Sequence, residues 1–136
     1  MLPPQNRLRL TRDHRRATRL GIRGGTTRVI VHLLADPGRT RTPPQIGIVV
    51  SRAVGTAVNR NAVRRRLRHL MRARLDRVPS GSMVVIRAQA EAATVPTAAL
   101  GEDLDQALDR ALQADRRAAP RSARHGHGSV REGGAR

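Results

Sequence analysis

"AVNRNAVRRRLRHLMR", residues 57–72, carries arginine at 60, 64, 65, 66, 68 and 72, yet it also offers Val58, Val63, Leu67, Leu70 and Met71. On a helix, residues three and four apart share a face. Val63, Leu67, Leu70 and Met71, followed by Leu75, therefore form one apolar stripe able to seat the helix on a sheet. Arg64, Arg68 and Arg72 fall at i, i+4 and i+8 beside that stripe; Asn61 and Arg65 extend the flank, and Arg60 lies near the helix start. Within the segment only Asp76 could offset this charge. Solvated helix faces usually mix both signs, whereas like charges stacked at i,i+4 cost a few tenths of a kcal/mol per pair. A solvated face is one reading and a phosphate-binding face the other, and the stacking favours phosphate. Arginine suits that role because its planar fork bonds two phosphate oxygens at once and stacks on bases.

The flanks of this helix place it between strands. "QIGIVVSR" (45–52) and "SMVVIRA" (82–88) are apolar runs of strand length, and the helix opens at Gly55 and Thr56 and ends before Pro79. Two parallel strands joined by a helix make a βαβ crossover. Upstream, "RVIVHLLA" (28–35) reads as a strand with Val29, Val31 and Leu33 on one face and Ile30, His32 and Leu34 on the other. The turn formers of "DPGRTRTPP" (36–44) predict an exposed loop joining it to 45–52 as an antiparallel pair. "TRDHRRATRL" (11–20) predicts a short helix capped by Thr11 and closed by Gly21, with Ala17 and Leu20 inward; "GIRGGTTR" then breaks the pattern. From Thr97 a last helix spaces Leu100, Leu104, Leu108 and Leu112 by four. Its early Glu102, Asp103 and Asp105 and late Arg116 and Arg117 complement the helix dipole. The expected fold is an α+β two-layer sandwich of order α-β-β-α-β-α, with room for an extra short strand. Residues 1–117 form one RNA-binding domain, and 118–136, rich in Arg, Ser, Gly and His, a disordered basic tail.

Composition narrows the partner. The 136 residues carry a formal charge of +17, and all 27 basic residues are arginine. Such an excess repels itself unless a polyanion relieves it, so nucleic acid leads and an anionic membrane surface follows. No apolar run approaches the roughly 20 residues of a membrane span, and no secretory signal is evident; the cytoplasm is the expected location. Without cysteine, disulfides and thiolate metal sites are excluded. Without Phe, Tyr or Trp, bases could stack only on His or on Arg planes.

Candidate chemistry is sparse. Ser51, His69 and Asp76 supply the residue types of a triad, but no nucleophile-elbow pattern surrounds Ser51. The acids at 102, 103 and 105 are better read as dipole partners than as a metal site. His125 and His127 form a weak tail pair, and "GIRGG" lacks the Lys-Ser/Thr ending of a phosphate loop. No catalytic or metal-ligating residue is assigned. A DNA-binding regulator is disfavoured because the arginine helix is flanked by strands rather than paired with a second helix.

The wider stretch "SRAVGTAVNRNAVRRRLR" (51–68) resembles the signature of the bacterial ribonuclease P protein subunit. Ser51, Arg52, Gly55, Ala57, Val58, Arg60, Asn61, Arg64, Arg65 and Arg68 hold its polar, apolar and glycine places in register. "NRLRLTRDHRRATRLG" (6–21), "VVIRA" (84–88) and the Leu-spaced helix resemble its flanks. The resemblance implies a non-catalytic protein partner of a catalytic RNA, which with bound Mg²⁺ removes the 5′ leader of precursor tRNA. It implies an arginine helix in a left-handed crossover docked on that RNA, with Arg52, Arg60, Asn61, Arg64, Arg65, Arg68 and Arg72 as RNA contacts. It also implies a leader cleft between the first helix and the sheet. Where the family commonly carries aromatics, this chain has His14, Thr18 and His32; two imidazoles keep a stacking face, though a surface His14 and a half-buried strand His32 are the plainer alternative. The competing function is a ribosomal or other structural RNA-binding protein.

Overall fold

The strand at Met83–Ala88 organises the molecule because it is apolar on both sides. Val84, Ile86 and Ala88 are buried on one face, and Met83 and Val85 on the other. A strand of that composition belongs at the centre of a sheet covered on both faces. In a computed structural model describing residues 2–35 and 41–126, with side chains to 118, it lies there. The elements run α1 (Thr11–Leu20), β1 (Ile22–Gly25), β2 (Val29–Leu34), β3 (Gln45–Val50), α2 (Ala57–Arg72), β4 (Met83–Ala88) and α3 (Thr97–Gly126). The four-stranded sheet has the order β1-β2-β4-β3. β1 and β2, and β2 and β4, are antiparallel, while β3 and β4 are parallel.

The α+β class and the helix between parallel strands agree with expectation, and β1 is the extra short strand. The expected β2–β3 pair does not form. The two strands run in opposite senses, but β4 lies between them. Turn formers reverse a chain without dictating adjacency, and the more apolar β4 takes the central place. Residues 36–40 of the intervening loop lie outside the described residues.

The expected two layers become a sheet with helices on both faces. The larger core gathers Val29, Val31, Leu33, Ile46, Val84 and Ile86 beneath Val63, Leu67 and Met71 of α2 and Leu100, Leu104 and Leu108 of α3. The opposite face carries a smaller cluster of Leu8, Ala17, Met83 and Val85 under α1. Ala17 is fully buried because its small side chain lets α1 approach the sheet, whereas Leu20 is 57% exposed and does not point inward. Thr11 is the first helical residue and not the cap; Leu10 holds the cap position, its carbonyl accepting from the Asp13 and His14 N–H groups. α3 continues to Gly126, past the point where the tail was expected to begin. Its Ala- and Arg-rich continuation consists largely of good helix formers; the tail expectation for 127–136 lies outside the described residues. Among the described residues no helix is long and apolar enough to cross a membrane.

Candidate nucleic-acid interface

The entry to α2 is built with care. Ser51 starts a 3-10 turn at Arg52–Val54, its Oγ accepting from the Ala53 N–H at 3.2 Å. Gly55 follows at φ 133°, a conformation costly for any residue with a Cβ. Thr56 then caps the helix, its Oγ1 accepting from the Asn59 N–H at 3.2 Å. The stripe Val63, Leu67 and Met71 is buried, with Leu70 and Leu75 packed at its margin, so the remaining circumference faces outward. Val58, the other apolar residue of the helix start, is 77% exposed.

The arginines divide into two populations. Arg28 pairs with Asp103 at 2.8 Å; Arg74 forks onto Asp105 at 2.6 and 3.2 Å; Arg77 bonds Asp105 at 2.8 Å and also Asp109. Arg66 donates to the carbonyls of Val95 and Ala92, tying the 90–94 turn to α2. The acids of α3 are therefore ion-pair partners, and the Arg74 and Arg77 guanidiniums hold the Asp105 carboxyl below its usual range. By contrast, Arg60, Arg64, Arg65, Arg68 and Arg72 have no carboxylate partner among the described residues. Charge is neutralised where α3 packs and left free on the outer face of α2.

On that face Asn61, Arg64, Arg65, Arg68 and His69 line an open hollow of about 400 Å³. Asn61 Oδ1 accepts from Arg64 at 2.7 Å, so a neutral amide orients the guanidinium without cancelling its charge. Arg72 is exposed in the last turn, Arg60 is half-buried with Nε lacking a partner among the described residues, and Arg52 sits outside the hollow in the preceding turn. Arg68 is held below its ordinary pKa, first by partial burial and then by Arg64 and Arg7. It lines a second hollow of about 310 Å³ at the β3 edge, together with Arg7, Leu8, Arg9, His14, Gly47 and Ile48 among others.

His14 is a wall of this second hollow. Its Nε2 meets the Leu8 carbonyl at 2.9 Å and its ring lies against Gly47, where a Cβ would come within 2.3 Å of Cε1. Thr18 and His32 do not line it. Thr18 is exposed and donates its hydroxyl to the His14 carbonyl. His32 sits in the row Arg23, His32, Val85, Gly47 across the four strands, two strands or about 10 Å from Gly47. Burial, Arg23 and Arg87 depress its pKa, and its buried Nδ1 has no partner among the described residues. Ser51, His69 and Asp76 are not hydrogen-bonded to one another. Sequence reasoning missed Arg7 and Arg9, although two arginines alternating around Leu8 in extended chain point to one side.

A mixed α-β sheet with an unneutralised arginine helix and no competing acid on that face defines a small RNA-binding protein. A sequence model described as "Ribonuclease P" matches residues 2–112. The ribonuclease P protein component of Streptomyces griseus is 51% identical over 118 residues, covering 82% of this chain and 96% of that protein. The component from Corynebacterium diphtheriae is 41% identical over 114 residues, covering 81% and 96%. The solved Staphylococcus aureus protein superposes with a TM-score of 0.68 at 20% identity, over 76% of this chain and 93% of that one. The chain belongs to the ribonuclease P protein family and is the protein component of that ribonucleoprotein endoribonuclease.

Proposed function

We propose that the chain binds the catalytic RNA of ribonuclease P through the outer face of α2 and guides the 5′ leader of precursor tRNA, assisting leader removal. The single observation that carries this is the segregation of arginines: those facing α3 are paired with acids, and those facing outward are free. Arg60, Asn61, Arg64, Arg65, Arg68 and Arg72 supply the phosphate contacts, with Arg52 adding charge at the helix entry. The leader follows the α1 side of the sheet, where His14, Thr18 and His32 lie; His32, neutral at physiological pH, offers a stacking face and an unfilled Nδ1.

Mg²⁺ enters this reading on the RNA. The acids that could have caged a cation on α3 are committed to Arg28, Arg74 and Arg77, so the protein residues do not fit a magnesium site. The cytoplasm is the compartment of this proposal, and a left-handed β3–α2–β4 crossover is its structural corollary, resting on family membership. Reconstitution tests the function. Added protein is expected to lower the Mg²⁺ that the catalytic RNA requires and to speed leader removal; an unchanged requirement and rate would refute it.

A further inference from the structure

The second hollow has the makings of an anion seat that sequence analysis did not assign. Arg7 and Arg9 reach it from the segment before α1, and Arg68 from α2. That segment is fixed in place: the Leu8 N–H donates to the Ile46 carbonyl at 2.9 Å, adding a short parallel bridge to the β3 edge. The opposite rim of β3 is committed to β4, with the Gln45 N–H reaching Ser82 and the Ser51 N–H reaching Ala88. In a parallel ladder alternate residues address alternate edges. Ile48 is thus in phase with Ile46 and turns its N–H outward, beside the arginines, with no partner among the described residues. The His14 ring shapes this space and spends its Nε2 on Leu8.

We infer that the hollow bounded by Arg7, Arg9, Arg68 and the Ile48 N–H seats a phosphodiester of an RNA strand continuous with the one on α2. Arg68 lines both hollows, so a single backbone can pass from Asn61 and Arg65 to the β3 edge without leaving cationic surface. Guanidiniums and a fixed edge N–H together match phosphate, which takes several donors at once. The inference rests on the reading of α2 as an RNA face and adds a second seat with its own residues. The phosphodiester belongs either to the catalytic RNA or to the 5′ leader, and the two are separable by experiment.

Arg9→Gln is the informative variant because Arg9 is exposed and its guanidinium makes no hydrogen bond within the described protein. Arg7 is less clean, since its Nε also holds the Leu2 carbonyl. Affinity is measured against salt for the full-length protein with catalytic RNA, and for the holoenzyme with precursor and with mature tRNA. Arg9→Gln is expected to weaken one of these about tenfold and to flatten its log–log salt slope by about 0.7–0.9, the value for one lost phosphate contact. An effect on catalytic RNA assigns the phosphate to that molecule; an effect confined to precursor tRNA assigns it to the leader. Arg9→Lys restores most of the slope. Combined with Arg68→Gln, the loss is less than additive, because both arginines hold one phosphate. Arg65→Gln serves as the control on α2. If it flattens the slope and Arg9→Gln does not, the second seat is refuted while the α2 reading stands; if neither does, both fall.

Discussion

At the scale of single residues, the interface depends on which groups are neutral. Asn61 holds Arg64 through an amide oxygen and leaves the guanidinium charge available to phosphate. Asn61→Asp places a carboxylate in the same position, and weaker RNA binding with a flatter salt slope is expected, at little cost to folding. Asn61→Ala keeps the charge and loses only the orientation, so its slope stays near the parent's. His32 is the residue whose protonation the fold resists, through burial and the flanking Arg23 and Arg87. A depressed folded pKa means the unfolded chain binds the extra proton first. Stability from this group is complete above the ordinary histidine value near 6.5 and declines as pH falls through that value toward the folded one. Thermal melts from pH 7.5 to 5 are expected to show this decline, and His32→Gln to reduce it. Gly47 is legible only in three dimensions: a Cβ there would meet the His14 ring, so Gly47→Ala is expected to dislodge it from Leu8 and reshape the hollow.

At the scale of elements, α2 has an inner face that folds the protein and an outer face that binds. The distinction predicts a double dissociation. Leu67→Ala, fully buried, is expected to cost about 2–5 kcal/mol in denaturant unfolding, and Thr56→Ala about 1 kcal/mol through the lost cap. Arg66→Ala belongs with these, since its guanidinium holds two carbonyls of the following turn; it destabilises and leaves the salt slope alone. Arg65→Ala does the reverse. The sequence showed the two faces of α2 directly, through the three-and-four spacing of Val63, Leu67 and Met71. It could not separate Arg66 from its neighbours, because the carbonyls it binds come from Ala92 and Val95, more than 25 positions away. The same holds for Arg74 and Arg77, whose acids reside on α3.

At the scale of the whole molecule, a net charge of +17 is distributed unevenly. The acids of α3 neutralise the rear of the structure and leave the α2 face uncompensated. Removing them has a predictable consequence. Asp105→Asn strips the shared partner of Arg74 and Arg77 and is expected to destabilise the fold most at neutral pH. Because the Asp105 carboxyl is held low, its contribution is present above the ordinary carboxylate range and vanishes as pH falls through the folded value. Acid melts of parent and variant are therefore expected to converge.

The amino-acid sequence by itself determined the elements, the apolar stripe of α2, the α+β class, and the register from Ser51 to Arg68 that marks the family. These are local properties, set by periodicity, caps and motif spacing within a few turns of chain. Tertiary structure alone decided that β4 separates β2 from β3, that α1 covers the second face, and which arginines are spent on acids and which remain free. It also brought Arg7 and Arg9 beside Arg68. Each of these depends on what lies across the sheet or on a helix far away in sequence. Burial competes over the whole chain, so the most apolar strand took the centre and the acids went to the arginines nearest in space.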